Sequence, residues 1–398
     1  MQGFTGLWRR LLSHWESARF HGAGNPRRQR LRPDCRIAAE IEKLQSRELL
    51  SSVTYHGGAL ISNVEVQNVY LGSDWQTSRG LKAQEARLNA FSSMLVQSTF
   101  MDGLTLAGYN VYRGTSSPSV VVNMSLDKTV PLDDSQIQTD LQALIKSGKV
   151  QDADPNRLYL IYVEPGMEVT LLGASSRQGL LGYHGAFAGK TTEGTSINIH
   201  YAVMVYPGFP NPPGNSTQNL GHGAIAVNSI GQLTIVTSHE LAEAVTDPDA
   251  EIAILGGSST LFGWRDDTTG EEVGDIVQNF HMIYKGFEIQ AIATQQEAPI
   301  SFNAITQKLT APTGLALAPG NSASTGVLSW GASPLAQGYR IFQIIGGQRI
   351  QIGSTDASTA SFKLSNLQTG VPVSFLVEAF NSSLTADSAV ITGTPPFA

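Results

Sequence analysis

The feature that most limits what this chain can fold into is a change of texture near residue 308. Upstream, apolar residues recur alternately with strand and helix periods; downstream, short alternating apolar runs repeat to the end with almost no helical signal. Beyond Ala311 the only charged residues are Arg340, Arg349, Asp356, Lys363, Glu378 and Asp387. Turn residues recur there about every 8–12 positions, the rhythm of two packed antiparallel sheets. Residues 311–398 are therefore expected to form an all-β immunoglobulin-like sandwich. Residues 52–305 are expected to form an α/β or α+β domain with a mixed sheet.

In the larger segment Val64, Val66, Val69 and Leu71 alternate as strands do. Leu81, Ala86, Phe91 and Leu95 carry helical spacing, and 120–124 reads as a buried strand. Asp133 or Asp134 can cap a helix bearing Ile137, Leu141, Leu144 and Ile145. Leu158-Tyr159-Leu160-Ile161-Tyr162-Val163 is an unbroken apolar run, the pattern of a strand buried on both faces. A second such strand spans 197–206. Helical periodicity then runs from Leu233 to Val245 and stops at Asp247-Pro248.

The C-terminal segment resembles a fibronectin type III domain. Ala311-Pro312 stands at its start, Leu328-Ser329-Trp330 in the second strand and Gly338-Tyr339-Arg340-Ile341-Phe342 in the third. Leu367-Gln368-Thr369-Gly370 precedes Phe375, Val377, Ala379 and Asn381 in the sixth. Trp330 and Tyr339 supply the large side chains that two packed sheets need. Val373 holds the position of the family's corner tyrosine, so that tyrosine's hydrogen bond is expected to be missing.

Composition excludes several classes. A net charge of -7 over 398 residues does not suit general nucleic-acid binding. Arg9, Arg10, Arg19, Arg27, Arg28, Arg30, Arg32 and Arg36 crowd the first tenth of the chain. Read functionally, they mark an anionic partner or an export signal; read plainly, residues 1–50 are a basic disordered leader. No apolar run typical of a signal peptide follows them, and none reaches the ~18 residues of a transmembrane helix. Cys35 is the single cysteine, which excludes an intramolecular disulfide and a cysteine-based zinc site.

The most informative segment is Ser238-His239-Glu240-Leu241-Ala242-Glu243-Ala244-Val245-Thr246-Asp247-Pro248. At about 100° per residue, Glu243 falls about 40° from His239 and one turn along, so both can grip one ion. This is the geometry of a His-Glu-x-x-His zinc helix with Glu243 in place of the second histidine. Glu240 then stands where such a helix carries its general base. A further ligand must come from elsewhere: Asp247, Asp249, Glu271, Glu272 or Asp275, with His184 and His200 as histidine options. Asp249 has the metzincin offset from His239, but Thr246 replaces the glycine at which that motif bends. Glu272-Val273-Gly274-Asp275, following a Gly-rich loop, is preferred.

Weaker signals have plainer readings beside them. Asp266-Asp267-Thr268-Thr269-Gly270-Glu271-Glu272 loosely resembles a calcium loop, but a hairpin turn explains it better. His56 beside Gly57-Gly58 lines the site or merely ends a strand. His184 stands between glycines that allow close approach of an ion. Asn123, Asn215 and Asn381 begin glycosylation-type tripeptides, common by chance in a Ser/Thr-rich chain. There is no nucleotide-binding glycine loop and no Gly-x-Ser-x-Gly elbow.

Taken in order, Tyr55-His56-Gly57-Gly58, Asn68-Val69-Tyr70-Leu71 with Trp75, and Leu158-Tyr159-Leu160-Ile161-Tyr162 resemble the EXORDIUM/phosphate-induced protein family. So do Gly182-Tyr183-His184, the strand at 201–207, the helix ending Thr246-Asp247-Pro248, and Glu272-Val273-Gly274-Asp275 after Gly263-Trp264. The resemblance covers roughly residues 53–303. It implies an exported, wall-associated protein in which His239, Glu240, Glu243, Asp247, Glu272 and Asp275 occupy motif positions. Relatives often carry cysteines near these motifs; Val277 and the leucines before Gly182 replace them here.

Together these readings give a zincin-like domain binding a divalent metal, zinc with calcium as the alternative, through His239, Glu243 and a carboxylate near Asp275. Glu240 would be the base in hydrolysis of a peptide or related bond. The other reading is a non-catalytic extracellular protein that binds a peptide or cell-wall polymer and uses the metal or carboxylate network as a brace.

Overall fold

The computed structural model describes residues 53–208, 229–257, 261–382 and 384–397. The arginine-rich segment, Cys35 and the Asn215 tripeptide lie outside them.

The long apolar runs of the larger region meet in one six-stranded sheet. Its strands are β2 (Asn63–Leu71), β3 (Tyr112–Ser116), β4 (Val120–Val122), β5 (Arg157–Val163), β6 (Gly182–Lys190) and β7 (Ser196–Met204). They lie in the order β3-β2-β5-β7-β6, with β4 also beside β2. All pairings are parallel except that of β6 with β7, so the sheet is mixed as expected. Every residue of β5 is buried, because both faces of this central strand are covered. The 120–124 run departs from expectation. Only Val120–Val122 is strand, and it is half-buried, because it lies beyond the main path with one neighbour.

Strand alternation divides the core into two layers. Leu158, Leu160 and Tyr162 face one layer, with Leu88, Phe91 and Leu95 of helix α1 (Arg79–Val96) and Phe100 and Leu104 of α2 (Thr99–Leu106). Tyr159, Ile161 and Val163 face the other, against Ile137, Leu141, Leu144 and Ile145 of α3 (Asp134–Lys146). Asp133 caps α3 by accepting from the Ser135 amide.

Helix α4 (Ser229–Thr246) lies in the first layer and is buried nearly all round, as a helix with apolar residues on every side must be. Leu233, Val236, Leu241, Ala244 and Val245 pack there, each large side chain contributing about 1.5–3 kcal/mol by leaving water. Tyr162 of β5 ties the helix to the sheet through Thr237, Oη to Oγ1 3.0 Å. Beyond α4 come α5 (Ala250–Gly256), β8 (Trp264–Asp266) paired with β1 (Val53–Tyr55), and the hairpin β9 (His281–Tyr284) and β10 (Phe287–Gln290).

The C-terminal region is a two-sheet sandwich. One sheet holds β11 (Thr313–Pro319), β12 (Gly326–Gly331) and β15 (Ser361–Leu364). The other holds β13 (Gly338–Ile345), β14 (Gln348–Asp356), β16 (Val373–Phe380) and β17 (Thr385–Asp387), with β18 (Ile391–Gly393) also against β16. This strand order resembles the fibronectin type III sandwich. Trp330 and Tyr339 meet edge-on in its core with ring centroids 5.3 Å apart. Among the described residues no helix is long and apolar enough to cross a membrane.

Candidate metal centre

Helix α4 delivers His239, Glu240 and Glu243 to one buried cluster. Strand β6 adds His184, which pairs in register with Ala202 of β7. The segment after β8 adds Glu272 and Asp275, and β10 adds Gln290. None of His184, His239, Glu240, Glu243, Glu272 and Asp275 is more than 3% exposed. Ionisable groups this deep require partners, because an unpaired buried charge is expensive.

Two triads share Glu243. In the first, His239 Nε2 lies 3.1 Å from Glu243 Oε2 and 3.8 Å from Asp275 Oδ1. In the second, His184 Nδ1 lies 3.5 Å from Glu240 Oε2 and 3.7 Å from Glu243 Oε2. Glu243 Oε1 accepts from the amides of Gly274 and Asp275, at 3.2 and 3.1 Å. Gly274 is required for that approach: a Cβ there would stand 2.8 Å from both Glu243 Oε1 and His239 Nδ1.

Negative charge is in excess. Glu240, Glu243, Glu272, Asp275 and the adjoining Asp247 face Arg265 and two imidazoles. Burial, then the charge of Glu243, pushes the Asp275 carboxyl well above the carboxylate range. Burial also raises Glu240, though His184 opposes it. Asp247 is pushed up to about 6 by burial, against the pull of Arg265. Glu272 goes the other way, because Arg265 and His184 outweigh burial. Burial lowers both histidines, but the carboxylates dominate; Glu272 leads in raising His184, and Glu243 in raising His239 to about 10. For His239 the hydrogen bonds point elsewhere. The Gln290 amide nitrogen stands 2.8 Å from Nδ1 and 2.8 Å from the Gly274 carbonyl, presenting a donor to the ring. With that donor in place, Nδ1 accepts and Nε2 carries the proton.

Four sequence candidates, Asp247, Asp249, His200 and His56, lie outside the cluster. Asp247 accepts from Arg265 Nε at 2.6 Å and from the Gly263 amide at 2.7 Å, so its carboxylate is occupied by a buried ion pair. Asp249 pairs with His200 at 3.0 Å and with Asn198 at 3.1 Å, both on strand β7. Its helical offset from His239 does not bring it near, because α4 ends at Thr246. His56 pairs at the surface with Asp267, 3.3 Å away. The Asp266 region is a hairpin: Asp266 Oδ1 accepts from the amides of Thr268 and Thr269, and Gly270 takes a left-handed φ of 71°.

No family model matches this chain, and no curated protein does either. The EXORDIUM resemblance thus rests on its motifs alone. Solved structures match part of the chain. A Fn3-like protein from Clostridium thermocellum is 23% identical, with 22% of this chain and 92% of that one covered and a TM-score of 0.20. The FN5 domain of Drosophila Lar is 22% identical, with 23% and 100% covered and a TM-score of 0.19. An FN3 domain of human collagen XX is 22% identical, with 23% and 95% covered and a TM-score of 0.20.

Two site residues have no sequence signal. Arg265 reads as one polar position in a short strand, yet it neutralises Asp247 and approaches Glu272 at 3.3 Å. Gln290 ends a hairpin, yet its backbone amide donates to Ser238 Oγ at 3.0 Å and its side chain orients His239.

Proposed function

We propose that the larger region is a non-catalytic binding scaffold, braced by a divalent cation held in the His/Glu/Asp cluster. The observation that carries this reading is closure: six ionisable side chains converge with none more than 3% exposed. A hydrolytic centre must admit water and substrate to its metal, whereas this cluster is shut away from solvent. A cation among surplus carboxylates also relieves repulsion that a buried cluster otherwise bears. Histidine nitrogen beside carboxylate oxygen suits zinc better than calcium, which takes six to eight oxygens. On the EXORDIUM motifs we place the protein outside the cell, with the sandwich as its attachment module and a peptide or wall polymer as partner.

The test is metal content and melting temperature of purified full-length protein before and after chelation. Near-stoichiometric divalent metal, and a melting temperature that falls on its removal, are expected. Protein that carries no metal and ignores added zinc overturns the reading.

A second reading, hydrolysis with Glu240 as general base, has one observation in its favour. Glu240 Oε1 is buried with no hydrogen-bond partner. On this reading Glu240→Gln retains metal but loses about 10²–10⁴-fold in peptide cleavage. Wild type that cleaves nothing in a broad peptide library removes it.

A further inference from the structure

We propose that the cation sits in the His184–Glu240–Glu243 triad, on His184 Nδ1, and that His239 is a hydrogen-bonded neighbour rather than a ligand. This rests on the metal reading above and assigns the atoms that carry it out.

The two histidines present different faces to the cluster. His184 Nε2 lies 3.3 Å from the carbonyl oxygen of Asp247 and 3.4 Å from Glu272 Oε1. Both neighbours only accept, so Nε2 keeps its proton, and a cation that displaces the Nδ1 proton finds the Nδ1 lone pair turned toward Glu240 and Glu243. A ligating histidine ordinarily has this arrangement, donating its far N–H to a carbonyl or carboxylate. His239 is reversed. Its far nitrogen, Nδ1, faces the Gln290 NH2 group, which is anchored on the Gly274 carbonyl at 2.8 Å and approaches the Ala291 carbonyl at 3.4 Å. Turning that amide would set oxygen against oxygen. His239 Nε2 therefore holds the proton and faces Glu243 Oε2 in an ion-pair contact at 3.1 Å.

The distances agree with the tautomers. His184 Nδ1 stands 3.5 and 3.7 Å from its two carboxylate oxygens, too far for good hydrogen bonds. Two ligands each about 2.1 Å from a tetrahedral ion lie about 3.4 Å apart. Glu243 cannot turn away, since Oε1 is held by two backbone amides and Oε2 faces both histidines. Glu240 Oε1, buried and without a partner, is then the unused half of a ligating carboxylate. Glu240 becomes a ligand on this account and not a base.

The experiment uses full-length wild type, His184→Gln and His239→Gln, each loaded with zinc, dialysed and analysed for metal. Long-range proton–nitrogen spectra of the histidine rings of wild type are recorded with and without zinc. Wild type and His239→Gln are expected to retain zinc, the latter with affinity lower by about 10-fold, as for loss of an outer partner. His184→Gln is expected to lose it. Should that variant not fold, the wild-type spectra decide: zinc moves the His184 Nδ1 resonance and leaves His239 with its proton on Nε2. A zinc-dependent shift at His239 Nε2, or zinc lost through His239→Gln alone, overturns the assignment but leaves the metal reading intact. Wild type that binds no zinc or other divalent metal overturns both.

Discussion

The guanidinium of Arg265 lies against the carboxylate of Asp247, Nε to Oδ2 2.6 Å, with both side chains almost wholly out of solvent. The pair joins the end of α4 to strand β8, and its Nη2 reaches Glu272 at 3.3 Å. Removing the cation strands two buried carboxylates. Arg265→Met is expected to destabilise the protein by about 3–5 kcal/mol in urea unfolding. The double variant Arg265→Met with Asp247→Leu should recover part of that loss. Equal stability of wild type and Arg265→Met would show the pair to be dispensable.

Gly274 offers a test of packing at the cluster. A methyl group there meets Glu243 Oε1 and His239 Nδ1 at 2.8 Å, so Gly274→Ala must push one of them aside. The expected cost is about 1–3 kcal/mol, together with weaker metal retention. Unchanged melting temperature and metal content would mean the loop yields freely.

Glu251 gives a pH dependence at the flank of the cluster, where the charge of His184 draws its carboxyl down against burial. Its carboxyl is pushed up from 4.5 to about 7, by burial first and then by Asp134. The folded protein therefore keeps a proton that the unfolded chain releases, and stability falls as pH rises from about 4.5 to about 7. Above that window the penalty is fully present, at most about 3 kcal/mol. Glu251→Gln is expected to stabilise at about pH 8, to change little at about pH 4, and to flatten the profile between. Parallel profiles for wild type and variant would place the titration elsewhere.

The sandwich boundary is testable by expression. A fragment of residues 311–398 is expected to fold, because Trp330, Tyr339, Phe375 and Val377 form a core of their own. Leu309 also packs in that core, and Ser333 Oγ donates to the Thr310 carbonyl at 2.6 Å. A fragment beginning at Lys308 should therefore be more stable, by about 1.5–3 kcal/mol for the leucine. Failure of both to give a cooperative unfolding transition would refute the domain division.

What the sequence determined by itself was local or periodic. The 158–163 run had to be a strand covered on both faces, since no exposed strand tolerates six consecutive apolar residues, and β5 is that strand. His239 and Glu243 had to share a helix face, since about 3.6 residues per turn puts them there wherever the helix lies. The alternation after residue 311 required two sheets packed on each other. Tertiary structure decided the rest, because it depends on which strands and loops meet α4. His184 enters from the antiparallel strand β6, Glu272 and Asp275 after β8, and Gln290 from a hairpin. Asp247 and Asp249 were both candidates along the chain. The positions of Arg265 and His200 took both carboxylates out of contention. Charge pairing in a buried cluster is a property of three-dimensional neighbours, and no spacing along α4 encodes it.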